Sequence, residues 1–510
     1  MMNFPRASGV LLHPTSLPGP YGIGEIGPEA YRFADFLAET GQRLWQILPL
    51  GPTSYGDSPY QSPSTFAGNP LWVSFDVLIQ DGLLKKEELA DFPEFPAEKV
   101  DFGPVILARM EILETVCNQF AKRASKTLKE QFNAFCTAQV EWLDDYALFA
   151  ALKDAHGGVP WPQWGLELAQ RQADALATAR EKFAKEIRRA KIIQFLFENQ
   201  WQRLRAYCRE RNIQLIGDIP IFVAHDSADV WANPGLFFLG PDGQPSVVAG
   251  VPPDYFSATG QLWGNPLYNW PAHKQNNYDW WTARLRRTFE LVDIVRIDHF
   301  RGFEAYWEIP GNETTAINGK WVPGPNADLF HVLHERLGEL PIIAEDLGVI
   351  TPPVEALRDQ FGFPGMRILQ FAFGNDDRSA EFRPESYPAH CCVYTGTHDN
   401  DSTVGWFHSE PGEGSTRTSE DIAAERKMIL DYLRTDGHEI HWDLINLGAR
   451  SNGNTFVVPL QDLLGLDSSA RMNTPGVASG NWQWRFTWEQ LTPAIRDRFA
   501  HITRATGRRH

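Results

Sequence analysis

The stretch "DIVRIDHF", residues 293–300, decides the fold. Hydrophobic residues alternate with charged ones in it, which is the pattern of a β-strand. Arg296 and Asp298 are two residues apart, so both side chains project to the same side of that strand. A strand buried on both faces is normally hydrophobic throughout. An arginine and an aspartate side by side in such a strand therefore indicate a special purpose.

A short strand followed by an amphipathic helix is the unit that recurs along the chain. After "GVLLHPTSL" (9–17), the segment "PEAYRFADFLAETG" (28–41) places Ala30, Phe33, Ala34 and Leu37 on one helical face. Seven more strand-like stretches follow: 43–53, 213–223, 293–300, 341–348, 365–373, 391–399 and 454–464. Strands that alternate with helices form a parallel sheet, and eight such units predict an α/β fold of the closed (β/α)8 barrel type.

Long segments interrupt this pattern and predict insertions in the barrel. Residues 78–190, between the second and third strands, are rich in helix-forming residues and predict a mainly helical inserted subdomain. The barrel would then comprise residues 1–77 and 191–510. Residues 224–276 are rich in proline, glycine and aromatic residues and predict loops of a substrate cleft. Two shorter cleft insertions are expected at 301–326 and 401–418.

The composition excludes several classes of partner. The formal net charge is −17 and the pI is about 5.3, which disfavours nucleic acid and anionic membranes but not a neutral substrate. The N-terminus lacks a signal-peptide pattern, no stretch approaches the length of a membrane span, and the five cysteines are scattered. These features favour a cytoplasmic protein. The 18 tryptophans include several in proline- and glycine-rich loops, where their flat faces suit sugar rings.

In a (β/α)8 barrel, functional residues lie at the C-terminal ends of the strands. Polar candidates at those positions are Asp218 (third strand), Arg296, Asp298 and His299 (fourth), Glu345 and Asp346 (fifth), and His398 and Asp399 (seventh). Paired carboxylates are the minimum equipment for breaking a glycosidic bond, one as acid/base and the other as nucleophile or base. A neighbouring arginine would offset the desolvation of Asp298 and keep it ionised, as a nucleophile requires.

Each candidate also has a simpler interpretation. Arg296 and Asp298 alone could be a structural ion pair, Glu345 or Asp346 could cap the following helix, and "THDN" (397–400) could be an ordinary turn. A metal site is the main chemical alternative, but the histidines lack the H-x-x-x-H spacing of common sites. The joint position of the candidates on successive strands favours catalysis.

Several longer motifs carry a resemblance to a known family. They are "GVLLHPTSLPGPYGIGEIG" (9–27), "SYGDSPYQSPSTFAGNP" (54–70), "IGDIPIFVAHDSADVWA" (216–232), "GVPPDYFSATGQLWGNPLYNW" (250–270), "VRIDHFRGF" (295–303), "IIAEDLG" (342–348), "GMRILQFAF" (365–373) and "YTGTHDND" (394–401). Together they span nearly the whole chain, which resembles the 4-α-glucanotransferases, or amylomaltases, of glycoside hydrolase family 77.

The resemblance implies roles for particular residues. Asp298 would be the nucleophile, Glu345 the general acid/base, and Asp399 the residue that stabilises the transition state. The residues implied in substrate binding are Tyr60, Asp218, Arg296, His299, His398, Tyr255, Phe256, Trp263 and Asn473. Tyr55 matches a second, non-catalytic glucan contact.

The resemblance also implies an activity. The chain is expected to cleave α-1,4-glucans and maltooligosaccharides and to transfer the glucanosyl segment to a sugar 4-OH by a retaining double displacement. No cofactor, metal or C-terminal β-sandwich domain is expected, and the chain would be a monomer or a weak homo-oligomer. The alternatives are a retaining α-glucan hydrolase of the amylase type and a glycan-binding protein without activity. The aromatic loops favour transfer, and the three carboxylates disfavour a mere binder.

Overall fold

Eight parallel strands form one sheet in the computed structural model, which describes residues 4–253, 259–374, 379–410 and 418–509. The strands are β1 (Ala7–Leu11), β2 (Leu44–Gln46), β3 (Gln214–Pro220), β4 (Ile294–Asp298), β5 (Ile342–Ala344), β6 (Gly365–Ile368), β7 (Cys391–Tyr394) and β8 (Thr455–Pro459). Their order is β6-β7-β8-β1-β2-β3-β4-β5. All eight predicted strands are present.

The two edge strands of this sheet, β5 and β6, come together and nearly close the barrel. Backbone N–H of Ala344 donates to the Pro364 carbonyl at 3.0 Å. The Asp346 carboxylate, just after β5, accepts from the backbone N–H of Met366 at 2.7 Å. The fold is therefore a nearly closed (β/α)8 barrel, as predicted.

Helices surround the barrel. Those between its strands are Pro28–Glu39, Phe75–Gln80, Ala228–Ala232, Trp270–Gln275, Asp279–Leu291, Asn326–Leu337, Pro352–Gln360, Thr403–His408, Ser419–Leu433 and Ile440–Arg450, followed after β8 by Leu460–Leu464 and Pro493–Ala505. The connection from β6 to β7 has only 3₁₀ turns in its described part. Within the described residues, no helix is long and apolar enough to cross a membrane.

A run of helices separates β2 from β3. Its members are Phe102–Arg123, Lys126–Ala138, Val140–Ala155, Leu166–Ala169, Ala173–Lys182 and Ala184–Glu210. The last and longest helix packs against the barrel. Its buried Gln194 side chain both donates to and accepts from the backbone of Gly68, at 2.9 and 2.8 Å. Gln200 binds the Ser74 backbone in the same way, so this helix fixes the segment that follows Tyr60.

A second, antiparallel sheet of four strands lies beside the barrel mouth. In spatial order the strands are Gln261–Pro266, Val247–Val251, Ala305–Pro310 and Lys320–Pro323. The sequence predicts loops in these segments, at 224–276 and 301–326. The hydrophobic residues of the outer strands, "QLWGNP" and "KWVP", are adjacent to one another, so neither strand has the hydrophobic alternation that signals a sheet. The sheet joins the connection after β3 to the connection after β4.

The barrel interior contains polar side chains in the layer beneath its mouth. Gln46 on β2 accepts a hydrogen bond from the Tyr394 hydroxyl on β7 at 2.8 Å, and both residues are buried. Asp218 on β3 lies directly opposite Arg296 on β4 in the strand register. Burying such groups costs free energy unless each finds a partner, so this layer is built as a connected network.

Candidate active site

Arg296 links two aspartates at the C-terminal ends of β3 and β4. Its Nη1 donates to Asp218 Oδ2 at 2.6 Å and its Nη2 donates to Asp298 Oδ1 at 2.8 Å. Arg296 and Asp218 are buried, whereas the Asp298 side chain is 31% exposed. Burial alone would lower the pKa of Arg296, but Asp218 and then Asp298 raise it well above its usual value. The guanidinium therefore stays charged and holds the Asp298 carboxylate in place at an accessible position.

Tyr60 and His398 extend this network. The Tyr60 hydroxyl donates to Asp218 Oδ2 at 2.7 Å and lies 2.8 Å from His398 Nε2. The Tyr60 hydroxyl has a single hydrogen, which it donates to Asp218. Its oxygen therefore accepts the second hydrogen bond, from the Nε2–H of His398. The two rings are stacked, with 14° between their planes. Burial raises the pKa of Asp218, while Arg296 opposes the rise.

Glu345 follows β5 and accepts two backbone hydrogen bonds. His299 N–H donates to its Oε2 at 2.7 Å, and Leu347 N–H donates to its Oε1 at 2.8 Å. Burial and then the charge of Asp298 raise the pKa of Glu345 to about 8, although Arg296 and the two backbone donors oppose the rise. Glu345 is consequently protonated at neutral pH and is equipped to act as an acid.

His299 has a left-handed backbone conformation, with φ 55° and ψ 48°. This conformation is uncommon for a residue with a side chain. In it, the His299 N–H is directed at Glu345 while the imidazole contacts Trp263, with ring centroids 4.8 Å apart. Burial lowers the pKa of His299 to about 3, so its ring is neutral at physiological pH.

Asp399 follows β7 and is held by a neighbouring loop. Its side chain is 43% exposed, and its Oδ1 accepts from Asn473 Nδ2 at 2.7 Å. Arg471 binds the two main chains together, because its Nη2 donates to the Asp399 carbonyl at 2.6 Å and its Nε to the Asn473 carbonyl at 2.8 Å. His398 Nε2 lies 3.4 Å from Asp399 Oδ2.

Asp346, adjacent to Glu345, has a different environment. It is buried, its Oδ1 accepts from Met366 N–H at 2.7 Å, and its Oδ2 forms an ion pair with Arg358. Both oxygens are thus engaged in structural contacts: Oδ1 links the end of β5 to β6, and Oδ2 binds Arg358 of the helix Pro352–Gln360. The geometry gives Asp346 structural contacts and leaves Glu345 as the carboxyl beside Asp298.

The remaining predicted residues differ in their placement. Trp263 lies on the inserted sheet against His299. Tyr55 is 75% exposed, and no contact among the described residues joins it to the network around Arg296. Tyr255 and Phe256 lie outside the described residues.

Two residues of the site were missed by the sequence reasoning. The centroid of the Trp482 ring lies 5.9 Å from the Tyr60 ring centroid and 6.0 Å from the His398 ring centroid. Arg471 makes the two carbonyl contacts already described. Both belong to loops after β8, and the only signal was the proximity of Arg471 to Asn473 in "RMNTPG" (471–476).

The barrel and its site together define a class of enzyme. An ion-paired aspartate, a glutamic acid with a raised pKa and a third carboxylate converge at the C-terminal ends of barrel strands. This equipment serves enzymes that break and form glycosidic bonds with a pair of carboxyl groups.

Comparison with known proteins gives the particular family. The glycoside hydrolase family 77 model, described as 4-alpha-glucanotransferase, matches residues 12–492. The 4-alpha-glucanotransferase of Thermus thermophilus is 49% identical over 511 residues, covering 99% of this chain and 100% of the relative. That of Synechocystis sp. is 48% identical over 508 residues, covering 99% of this chain and 98% of the relative.

A solved structure agrees with these relatives. The amylomaltase from Streptococcus agalactiae, in complex with acarbose, matches with a TM-score of 0.93 and 40% identity, covering 99% of this chain and 100% of that one. The chain therefore belongs to the 4-alpha-glucanotransferases of glycoside hydrolase family 77. The transferase interpretation of the sequence is confirmed over the amylase-type hydrolase.

Proposed function

We propose that Asp298, Glu345 and Asp399 carry the glucan transfer by a retaining double displacement. The observation that supports this assignment is the contrast between two neighbouring carboxyl groups. Asp298 is ion-paired with Arg296, while burial and Asp298 itself raise the pKa of Glu345 to about 8. A charged nucleophile and a protonated acid are the two forms that the first chemical step requires.

In that first step, an Asp298 oxygen attacks C1 of the donor sugar. The bond from C1 to the glycosidic oxygen breaks as Glu345 gives that oxygen its proton, and the departing glucan leaves with a 4-OH. In the second step, the Glu345 carboxylate takes the proton of an acceptor 4-OH, whose oxygen attacks C1 and releases Asp298. Two inversions at C1 restore the α configuration. Asp399 would stabilise the positive charge that develops on the ring.

The sugar transferred from the donor would lie on the network around Arg296. Asp218 Oδ1 is buried and has no hydrogen-bond partner among the described residues, and this supports its use as an acceptor for a sugar hydroxyl. Tyr60 and His398, stacked on each other, offer an aromatic surface beside it. His299 and His398 would bind hydroxyls of this sugar. Trp263, Tyr255 and Phe256 would contact the acceptor side, and Asn473 would contact the glucan from a loop opposite them. Tyr55 would be a secondary glucan contact.

The organisation and setting of the chain remain proposals. We infer that 78–190 is an inserted helical subdomain and that 224–276, 301–326 and 401–418 are cleft insertions of the barrel 1–77 and 191–510. Helices from Phe102 onward and the inserted sheet support the division. The five cysteines are all free thiols, which supports a reducing, cytoplasmic setting. We propose a monomer or weak homo-oligomer.

Incubation with maltotriose tests the proposed function. Transfer predicts a ladder of longer maltooligosaccharides together with glucose, separated by chromatography. Hydrolysis alone would give only sugars shorter than maltotriose, and that outcome would contradict the proposal. Asp298→Asn serves as the inactive control, because asparagine is nearly isosteric with aspartate but is not a nucleophile of this kind.

A further inference from the structure

Trp321 is an exposed aromatic side chain on the inserted sheet. It lies directly opposite Trp307 in the strand register, with ring centroids 5.2 Å apart and 69° between the planes. The two tryptophans have different environments. Trp307 Nε1 donates to the Ala316 carbonyl at 2.8 Å, whereas Trp321 is 38% exposed and no described residue accepts from its Nε1. Trp321 therefore offers both an apolar ring and a free N–H.

Arg301 fixes the Trp321 ring. The guanidinium carbon lies 3.7 Å above the ring centroid, Nε donates to the Ala305 carbonyl at 3.4 Å, and Nη1 donates to the Val349 carbonyl. Arg301 is itself buried, so this support is held rigidly. A ring whose orientation is already fixed loses little conformational entropy when a ligand packs on it.

The same contacts tie Trp321 to the catalytic loops. Arg301 is two residues after His299, and Val349 is four residues after Glu345. Four residues of extended chain span at most about 14 Å, so Val349 is within a few sugar units of the acid/base. The Trp321 ring therefore belongs to the rim of the same cleft.

The chemistry of the reaction decides which half of the glucan would reach this rim. The transferred sugar lies over Asp298, next to Asp218 and its partners. Glu345 protonates the oxygen that stays with the departing half, and later receives the proton of the acceptor. Trp321 is connected to the Glu345 and His299 loops, so it lies toward the acceptor half.

We propose that Trp321 is a stacking platform for a distant glucose unit of the acceptor glucan. This inference rests on the proposed function and extends its acceptor site beyond the rings next to the cleaved bond. The polar surroundings suit a sugar. Lys320 and Glu308 are the cross-strand pair next to Trp321 and Trp307, and Lys320 Nζ lies 3.1 Å from Glu308 Oε1. A sugar has apolar C–H faces for the ring and hydroxyls for the indole N–H and these charges.

The test compares acceptors of different length. Maltosyl fluoride at a fixed saturating concentration is the donor, fluoride release gives the rate, and glucose or maltopentaose is the acceptor. Trp321→Ala should raise KM for maltopentaose about fivefold to tenfold, the upper part of the range expected for losing one aromatic stacking contact. KM for glucose and kcat should change less than about twofold, since one ring cannot reach Trp321.

Two further variants make the comparison specific. Trp321→Phe keeps a ring and should recover most of the affinity for maltopentaose. Tyr432→Ala is the matched control, because Tyr432 is also 38% exposed and lies on the separate helix Ser419–Leu433. It should leave both KM values unchanged.

Two outcomes would overturn the inference: an unchanged KM for maltopentaose in Trp321→Ala, or an equal rise for glucose and maltopentaose. An equal rise with a lower melting temperature would mean that Trp321 only supports the sheet. Failure of the proposed function is distinguishable, because the unmodified enzyme would then give no transfer product with either acceptor.

Discussion

The raised pKa of Glu345 predicts the alkaline side of the pH–rate profile. With a pKa of about 8, roughly ten molecules in eleven carry the proton at pH 7 and roughly one in eleven at pH 9. The first step requires that proton. Since kcat/KM reports the free enzyme, it should be half-maximal near pH 8 and then fall about tenfold for each further pH unit.

Glu345→Gln tests whether this residue causes the loss. The substrate should be maltosyl fluoride, since fluoride leaves without help from an acid. A rapid burst of fluoride should then persist in the variant although its cleavage of maltotriose is nearly lost, while the following turnover is slow because no base activates the acceptor. Azide needs no base, so it should accelerate that turnover and yield the α-maltosyl azide.

Cleavage of maltotriose by Glu345→Gln at the same rate and with the same alkaline limb as in the unmodified enzyme would refute the reasoning. It would assign the titration to another group, such as a histidine or Asp346. The melting temperature of the variant at each pH is the control for unfolding.

The same pKa predicts a dependence of stability on pH. The folded-state pKa of Glu345 is raised above its usual 4.5, so the folded chain binds more protons than the unfolded chain between about pH 4.5 and 8. This group therefore contributes a free energy of unfolding that decreases as the pH rises through that window. In Glu345→Gln, the melting temperature should decline less between pH 5 and pH 8, measured by calorimetry.

Three further results are expected. Asp298→Asn should abolish turnover while retaining the circular dichroism spectrum and melting temperature, and activity above a few per cent would contradict its role as nucleophile. The carboxyl groups of Asp298 and Glu345 should lie about 5–5.5 Å apart, and NMR should find α products; β products would exclude double displacement. Tyr255→Ser or Phe256→Ser should raise the ratio of hydrolysis to transfer, with initial donor cleavage falling less; equal losses together with a lower melting temperature would show that these rings only pack their loop.

The sequence predicted the barrel because its signals are local. Each of the eight strands is a short hydrophobic stretch followed by a turn, and most are adjacent to amphipathic helices, so periodicity alone locates them. The end of β2 was less accurate. The predicted strand 43–53 ends at Gln46, since the prolines at 49 and 52 cannot donate to a ladder.

The residues of the candidate site that lie at strand ends could be predicted from the sequence. Asp218, Arg296 and Asp298 are brought together by the register of β3 and β4, as the alternation in the sequence indicates. Arg471 and Trp482 were not predictable in this way. They reach the site from loops after β8, and the path of a loop depends on tertiary contacts that periodicity does not encode.

The helical run between β2 and β3 has a consequence for how the chain folds. Gln46 and Ile216 are paired in the sheet although the whole run separates them along the chain. The entropic cost of closing such a loop grows only by about 0.6 kcal/mol for each doubling of its length, so the interruption costs little equilibrium stability. It does affect kinetics, because pairing of distant strands is slow. If the helices form first, Gln194 and Gln200 of the last helix can already bind the backbone of Gly68 and Ser74. The strand β3 follows directly after this helix, so it would then lie close to β2. Nascent chains released before residue 220 should therefore already protect these helices from proteolysis.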